Sequence, residues 1–333
     1  MIRLALDAMG GDHAPQETVA GAVQAAREFG VEVVLIGQPD DLQRELAKHP
    51  TAGLSLPIEP AATVIPMDEH QPSTAWRRQK DSSLVVAMNL LRDRQVAGVV
   101  SPGNTGAVIS AALFLVRRIE GIDRPCLGAV FPARTGPVLV ADVGATPDAR
   151  PVFLVQWAQL AVLYAEKALG RPNPTVGLLS NGEEEVKGNE LVRETFPLLK
   201  AAGLNFIGMV EGRDIAAGTA DVIITDGFTG NVAIKTAEGV GSLVSGMLRE
   251  ELTRSLLTKA LAAPLLPVLN RIRKRMDYAE YGGGPVLGVQ GVVVKAHGRS
   301  NARAIRSALM VAYQAASHDM LAAFTAVGAQ AHE

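Results

Sequence analysis

One arrangement recurs five times along this chain: a short apolar run, then a loop rich in Gly, Asn, Asp and Thr, and in most cases a helical pattern. Short apolar runs bounded by turn residues are typical of buried strands. Strands that alternate with helices form a mostly parallel sheet with helices on both faces. The pattern therefore predicts an α/β fold. The apolar runs cover residues 2–6, 96–100, 138–141, 176–179 and 221–225.

The rest of the chain continues this alternation of strands and helices. Further strands are expected at residues 32–36, 126–131 and 204–209. Neither an internal repeat nor a low-complexity linker divides the sequence, so we expect a single domain over residues 1–333. Helices are expected at residues 16–29, 40–48, 82–92, 105–118, 152–169 and 189–202.

Composition excludes several classes of function. A net charge of −2 and an aromatic fraction of 4% argue against nucleic-acid binding, which needs basic surfaces and stacking side chains. The single cysteine, Cys126, excludes an internal disulfide and favours the reducing cytoplasm. The uncharged run 96–116 is long enough to span a membrane, but Pro102 and Asn104 at its centre favour a strand, a turn and a helix. No signal-peptide pattern precedes the first strand, so we expect a cytoplasmic protein.

The loops that follow the five apolar runs carry the candidate binding groups. In a parallel sheet such loops emerge at the carboxyl edge, where these folds bind ligands, and glycines there let backbone N–H groups approach an anion. We therefore expect one composite site for an anionic substrate. The sequence has no His-Glu-x-x-His motif and no carboxylate-rich cage, so neither a metal nor a cofactor is expected. The candidate residues are Gly10, Gly11, Asp12, His13, Asn104, Thr105, Gly106, Lys187, Asp226, Thr229, Gly230 and Asn231.

Three of these residues are candidates for the chemistry itself, and each has a structural alternative. His13 suits proton transfer or the orientation of an anion, and it also suits a structural turn. Lys187 lies in a glycine-flanked loop after a strand, but the acidic run before it also suits a surface ion pair. Asn231 would cap the long helix in either case. Cys126 lies in an apolar strand and is expected in the core rather than as a nucleophile.

One segment departs from the strand–loop–helix pattern. Residues 240–280 are expected to form a protruding helical hairpin, whose tip contains Pro264 and Pro267 and is otherwise almost wholly apolar. An apolar tip beside a basic cluster is typical of an interfacial anchor on anionic lipid, and an oligomer contact is the alternative. The tip residues are Leu261, Leu265, Leu266, Val268 and Leu269, and the basic cluster is Arg271, Arg273, Lys274 and Arg275.

Several segments are long and rare enough to identify a family. The chain resembles the phosphate acyltransferases of bacterial phospholipid synthesis along essentially its whole length. The resemblance rests on DAMGGDHAP at 7–15, SPGNTGA at 101–107, DVGATPD at 142–148, VGLLSNGEEEVKGN at 176–189, VEGRDI at 210–215, DGFTGNVAIKTAEG at 226–239, YGGGPVLG at 281–288 and HGRS at 297–300.

This resemblance implies transfer of a fatty acyl group from the thioester of acyl carrier protein to inorganic phosphate, giving acyl phosphate. It also implies a three-layer α/β/α fold similar to the isocitrate and isopropylmalate dehydrogenases. A homodimer that associates reversibly with the membrane from the cytoplasm is implied as well. The basic cluster would then dock the acidic carrier protein, anionic lipid, or both.

The implied chemistry suits the candidate residues. Phosphate is already anionic near neutral pH, and the leaving thiol, with a reference pKa of about 8.5, needs little acid assistance. The site must hold phosphate against the carbonyl and stabilise the oxyanion, which calls for backbone N–H groups, amides, hydroxyls and a cation. We expect direct attack by phosphate, without an acyl-enzyme. Three other functions are left open: a short-chain phosphotransacylase acting on acyl-coenzyme A, a dehydrogenase of similar fold, and a non-catalytic membrane scaffold for the carrier.

Overall fold

The structure is a computed structural model, and it describes residues 1–255, 258–259, 262–265, 267–269, 271 and 282–330. Eleven strands in these parts of the chain form one sheet. In chain order they are β1 (Arg3–Asp7), β2 (Glu32–Gly37), β3 (Ile58–Pro60), β4 (Gly98–Ser101), β5 (Cys126–Ala133), β6 (Gly136–Ala141), β7 (Val176–Leu179), β8 (Phe206–Val210), β9 (Val222–Ile224), β10 (Gly284–Leu287) and β11 (Val292–Lys295).

Helices follow most of the strands, and several begin at a side-chain cap. Asn104, Asn189 and Asn301 each accept an N–H group from the first turn of the helix that follows. A π-helical turn, Ala112–Val116, continues the fifth helix. In chain order the helices are α1 (Gln16–Phe29), α2 (Pro39–Leu46), α3 (Pro72–Arg78), α4 (Ser83–Arg92), α5 (Thr105–Ala111), α6 (Pro151–Ala168), α7 (Glu190–Ala201), α8 (Gly212–Ala217), α9 (Gly227–Thr253), α10 (Ala302–Ser317) and α11 (Met320–Gln330).

The sheet consists of two parallel groups of strands with an antiparallel centre. The strand order is β3-β2-β1-β4-β11-β10-β5-β6-β9-β7-β8. The first wing, β3, β2, β1, β4 and β11, is parallel throughout, and so is the second wing, β6, β9, β7 and β8. The pairs β11–β10, β10–β5 and β5–β6 between the wings are antiparallel. Three successive reversals make the two wings run in opposite directions.

The two wings nevertheless end at the same line. Lys295, the last residue of β11, pairs with the first residue of β10. β10 pairs in turn with β5 through Val286 and Leu127, and in β5 Gly128 lies opposite Ala141, the last residue of β6. These pairs show that Lys295 and Ala141 lie at the same height along the strand direction, to within one residue. We call this level, where the carboxyl ends of both wings meet, the meeting line.

Alternate residues of the strands pack against helices on opposite faces of the sheet. On one face, side chains such as Ala5, Val99 and Val140 pack with α4, α5 and α8. On the other face, the first wing packs against α1 and α10, and the second wing packs against α6, α7 and α11. Helices therefore cover both faces, which gives three layers in the order α/β/α. This arrangement confirms the prediction of a mostly parallel sheet between two helical layers.

Most expected elements are present with their ends shifted by one or two residues. The run 96–116 forms β4, a turn and α5, and no helix in the described parts of the chain is long and apolar enough to cross a membrane. The helix expected at 105–118 changes to a π-helical turn after Ala111. The antiparallel centre is the main difference from expectation, because the five loops leave two opposed wings instead of one carboxyl edge.

Candidate functional site

The buried carboxylate of Asp7 joins the loops that follow β1 and β4. Ser101 donates its hydroxyl to Asp7 Oδ2 at 2.6 Å, and Gly103 N–H donates to the Ser101 oxygen at 3.1 Å. Gly10 N–H donates to Asp7 Oδ1 at 3.1 Å, and a Cβ at Gly10 would lie 2.6 Å from Asp7 Oδ2. Glycine is therefore needed for this close approach. Burial raises the pKa of Asp7, while the hydrogen bonds from Ser101 and from Gly10 N–H lower it.

The tip of the loop after β1 contacts the loop after β11. Asp12 N–H donates to Gly298 O at 2.8 Å, and Asp12 Oδ2 lies 3.9 Å from Arg299 Nε. Gly11 has a φ of +87°, which favours glycine. The side chains of Asp12 and His13 are both exposed here. The loop thus lies at the carboxyl end of the first wing, and the chemical role of His13 stays a prediction.

Asn104 begins α5 and anchors its own loop. Its Oδ1 accepts Ala107 N–H at 3.2 Å, and its Nδ2 donates to Met67 O at 2.8 Å. Both ends of this amide are therefore engaged within the protein, a structural role that the sequence analysis did not assign. Thr105 is exposed and Gly106 is half-buried in the first turn of α5, where backbone N–H groups have no partner within the helix.

At the end of β6, Asp142 organises the loop that follows. Its carboxylate accepts N–H groups at distances of 2.7–3.1 Å from Leu127, Gly144, Ala145 and Thr146. The side chain is fully buried. Burial raises the pKa of Asp142, and the four backbone donors lower it. Asp142 thus holds the turn after β6 against the start of β5, and it was not among the predicted site residues.

Asp226 caps the amino end of α9. Its Oδ1 accepts Phe228 N–H at 3.0 Å and Thr229 N–H at 2.8 Å. Its Oδ2 accepts the Thr229 hydroxyl at 2.7 Å. Both carboxylate oxygens therefore hold the first turn of the helix, and contact of Asp226 or Thr229 with a substrate stays a prediction.

Asn231 lies one turn into α9 and connects the helix to the loop after β6. Its Nδ2 donates to Val143 O at 3.1 Å, and its side chain is exposed. The prediction that Asn231 caps the helix is wrong, because α9 begins four residues earlier and Asp226 is its cap. Gly230 is buried, and a Cβ there would collide with the Asp142 carbonyl oxygen. Glycine at this position lets α9 pack directly on the end of β6.

Lys187 lies in the loop after β7, and its side chain is exposed. Two members of the preceding acidic run pair with other cations. Glu183 lies 3.1 Å from Arg213, and Glu185 lies 3.4 Å from Lys200. These contacts weaken the alternative in which Lys187 serves only as a surface ion pair, and its chemical role remains a prediction.

Three basic side chains that the sequence analysis did not combine lie at the meeting line. Lys235 Nζ, from α9, lies 3.4 Å from Nε2 of His297, which follows β11. Lys295, the last residue of β11, is buried, and burial together with the charge of Lys235 lowers its pKa to about 8. The same two causes lower the pKa of His297. The Lys235–His297 contact joins an element of the second wing to one of the first.

Lys235 and Lys295 were missing from the predicted site for identifiable reasons. The sequence did not predict β11, so it did not predict that Lys295, which follows the apolar run Val292–Val294, lies at a strand end. Lys235 follows Asn231 by four residues, which places both on one face of α9. Two signals were available in the sequence. Lys295 is a charged residue directly after an apolar run, and Lys235 has an i, i+4 spacing from the candidate residue Asn231.

Cys126 lies in β5 and is fully buried, which confirms its expected place in the core. Burial raises the pKa of its thiol well above the usual range. Within the described residues, no group of three or more His, Cys, Asp or Glu side chains is arranged to hold a metal ion.

The predicted hairpin lies only partly within the described residues. Leu265 is 54% exposed and Val268 is 42% exposed, so these apolar side chains contact solvent. Arg271 is exposed beside them and Leu269 is half-buried. Leu261, Leu266, Arg273, Lys274 and Arg275 lie outside the described residues. The second half of α9 exposes a further apolar face, formed by Val240, Leu243, Val244, Met247 and Leu248.

The sequence is similar to known proteins over nearly its whole length. The family described as fatty acid synthesis protein matches residues 2–323. A phosphate acyltransferase of Geobacter sulfurreducens is 46% identical over 313 residues, which cover 94% of this chain and 90% of that protein. A phosphate acyltransferase of Desulfitobacterium hafniense strain Y51 is 49% identical over 313 residues, with 94% and 93% of the two chains covered.

Solved structures share the fold at low sequence identity. A phosphotransacetylase from Streptococcus pyogenes gives a TM-score of 0.67 at 16% identity, covering 95% of this chain and 94% of that chain. A 4-hydroxythreonine-4-phosphate dehydrogenase from Klebsiella pneumoniae gives a TM-score of 0.54 at 13% identity, covering 95% and 99%. At these identities the likeness shows the fold alone, and it confirms the expected dehydrogenase-like α/β/α architecture.

Proposed function

Because this chain belongs to the fatty acid synthesis protein family, we propose that it transfers a fatty acyl group from the thioester of acyl carrier protein to inorganic phosphate. The coarser activity, acyl transfer to phosphate, follows from the family. The observation that supports the finer proposal is the meeting line, where the carboxyl ends of both wings lie at one level and Lys235 of one wing contacts His297 of the other. An anionic nucleophile and a developing oxyanion both need cationic or hydrogen-bonding groups such as these.

The reaction proceeds by direct attack. A phosphate oxygen forms a bond to the thioester carbonyl carbon, and the carbonyl electron pair moves to its oxygen. The tetrahedral intermediate then collapses, the carbon–sulfur bond breaks, and the carrier leaves as a thiolate that takes a proton from solvent. In this proposal Lys187 and Asn231 stabilise the oxyanion, and His13 orients the phosphate. No metal ion or cofactor takes part.

Formation of acyl phosphate from acyl carrier protein thioester and inorganic phosphate tests the function. Trapping with hydroxylamine converts acyl phosphate to a hydroxamate that mass spectrometry identifies. We expect a long-chain carrier thioester to be used with much higher kcat/KM than acetyl-coenzyme A. A preference for acetyl-coenzyme A would favour a short-chain phosphotransacylase, and no acyl phosphate from either donor would contradict the proposal.

Replacing Cys126 with Ala should leave turnover near the wild-type value. The buried thiol has a raised pKa and is a poor nucleophile, so the reaction should not pass through an acylated cysteine. Initial rates measured with both substrates varied should follow a sequential mechanism. As a control, the wild-type protein is incubated with labelled acyl carrier thioester in the absence of phosphate. Isolation of labelled protein from that mixture would rule out direct attack.

We also propose that the protein is a single domain with residues 240–280 as a protruding hairpin, and that it acts as a homodimer on anionic membranes from the cytoplasm. Exposed Leu265 and Val268, with Arg271 beside them, support membrane contact because apolar and basic groups together favour anionic lipid. Delivery at the membrane also suits a labile product with an apolar chain. The rest of the basic cluster, Arg273, Lys274 and Arg275, would dock the acidic carrier protein or the lipid.

Replacing Leu265 and Val268 together with Glu should weaken binding to anionic liposomes about 100-fold or more. Burial of each aliphatic side chain is worth roughly 1.5–3 kcal/mol, and each Glu adds repulsion from the lipid. Sedimentation with phosphatidylglycerol vesicles measures the binding.

Leu198 and Ile207 provide the matched control, since they are 46% and 44% exposed and lie far along the chain from the hairpin. Their double replacement with Glu should leave liposome binding unchanged. If the Leu265 and Val268 variant dissociates a dimer in light scattering but still binds vesicles, the tip is an oligomer contact instead.

A further inference from the structure

Three basic side chains converge at the meeting line from elements of both wings. Lys235 Nζ lies 3.4 Å from His297 Nε2, and Lys295 is only 7% exposed. Lysine is rarely buried unless it is paired. The hydrogen bond that Lys295 Nζ donates goes to the Ala296 carbonyl oxygen, which carries no net charge. The cluster thus brings two lysines and a histidine together in a partly buried place, where burial and the charge of Lys235 lower the pKa values of Lys295 and His297.

Three carboxylates of the described residues act on this cluster, and one of them pairs directly with a cluster member. Glu238 pairs with Lys235 at 2.7 Å, on the helix that carries both. Asp12 lies 3.9 Å from Arg299, and Asp7 is held by Ser101 and Gly10 as described above. A lysine ammonium has three N–H donors, and the contacts given above for Lys235 and Lys295 leave donors that an additional anion can accept.

We propose that Lys235, Lys295 and His297 together bind one phosphate group. A phosphate offers several acceptor oxygens and at least one negative charge, and it suits nitrogen donors that come from separate elements. Lys235 belongs to α9 of the second wing, whereas Lys295 and His297 belong to the end of the first wing. A phosphate bound here bridges the two wings.

The identity of the bound phosphate rests on the proposed function. In that reaction two different phosphate groups take part. One is inorganic phosphate, the nucleophile. The other is the phosphodiester through which a carrier protein holds its thiol-bearing arm. Both present the same oxygens to the cluster, so separate Michaelis constants are needed to distinguish them.

The titration of Lys295 gives a first test. Burial and Lys235 lower its pKa to about 8, while Asp7 and Asp12 act in the opposite direction. Because the protonated amine attracts phosphate and the neutral amine does not, affinity for inorganic phosphate should fall as the pH rises through about 8. Lys295→Arg keeps its charge at these pH values and should remove that fall.

The decisive experiment compares Lys235→Gln and Lys295→Met with the control Lys200→Gln. Lys200 is exposed and pairs with Glu185 at 3.4 Å, much as Lys235 pairs with Glu238. Calorimetry on the protein alone measures the Kd for inorganic phosphate, and steady-state kinetics measure the KM of each substrate. Loss of a charge-assisted hydrogen bond should weaken phosphate binding about tenfold to a hundredfold in the two cluster variants, and the control should bind normally.

A raised Kd and KM for inorganic phosphate, with an unchanged KM for the carrier thioester, would assign the nucleophile to this cluster. If only the KM for the carrier thioester rises, the cluster binds the phosphodiester of the carrier instead. That outcome also supports the binding of a phosphate group by the cluster. If Lys235→Gln, a change at an exposed side chain that leaves folding intact, alters none of the three constants, the proposal is overturned. A protein that binds phosphate through the cluster but makes no acyl phosphate would overturn only the proposed function.

Discussion

Replacing Lys187 or Asn231 with Ala is expected to lower kcat by about 10²–10³-fold, the usual cost of losing one preorganised oxyanion donor. Both side chains are exposed, one in the loop after β7 and one in α9. Truncating an exposed side chain changes the free energy of unfolding little, so a loss of rate reports lost stabilisation of the transition state. Measurement of kcat at saturating concentrations of both substrates, together with urea unfolding, separates the two effects.

Asn205 offers a matched control for Asn231. Asn205 is exposed and its Nδ2 donates to Asn173 O at 3.1 Å, the same distance at which Asn231 donates to Val143 O. Asn205 precedes β8 and therefore lies at the opposite end of the second wing, so Asn205→Ala should keep its kcat. If Lys187→Ala and Asn231→Ala both retain more than about a tenth of the wild-type kcat, the site does not lie at these strand ends.

Asp142→Ala should lower the free energy of unfolding by about 2–4 kcal/mol. The substitution leaves the N–H groups of Leu127, Gly144, Ala145 and Thr146 without their acceptor, and each unsatisfied buried donor costs about 1–3 kcal/mol. Water entering the vacated space recovers part of this cost. Urea denaturation with a linear extrapolation measures the change.

Two further variants test this role, one at Asp142 and one at Asp221, a carboxylate with fewer backbone donors. Asp142→Asn keeps one acceptor oxygen and should cost much less than Asp142→Ala. Asp221 accepts the N–H and the hydroxyl of Thr175, lies 3.7 Å from Arg171 and is half-buried, so Asp221→Ala, which frees a single backbone donor, should have a smaller effect. Equal losses of stability in all three variants would show that Asp142 does not organise the turn after β6.

The local sequence predicts the elements of this fold better than their arrangement. The 16–29 helix has the same ends in the structure as in the prediction, because apolar periodicity and flanking turn residues are local signals. The direction of the second wing depends instead on β10, a strand of four residues that pairs with the nearby β11 and with β5, which lies far away in the chain. Periodicity in so short a run carries no information about polarity, so the opposed wings were not predicted.

In the candidate site, too, the local features were predicted and the long-range contacts were not. The glycine-rich loops were recognisable because glycine, asparagine and aspartate mark strand ends, and the loop beginning at Gly10 lies where it was expected. The structural roles of Asp142 and Asn104 could not be predicted from the residue types, because their hydrogen-bond partners include backbone groups that only folding brings close. Lys235 and Lys295 were missed because each becomes a neighbour of the other only when the two wings meet.

The antiparallel centre of the sheet fixes the spacing between the two wings, and so between the groups that each wing contributes to the proposed site. Pro285 and Val286 lie in β10, which joins the wings through hydrogen bonds to both neighbours. A change in twist at these apolar positions would move groups of the first wing relative to those of the second. A displacement of reacting groups by about 1 Å can lower a rate about 10²-fold. If the reacting groups lie at the meeting line as proposed, core residues remote from any substrate set the reaction rate, and adaptation to temperature or substrate length can proceed through packing alone.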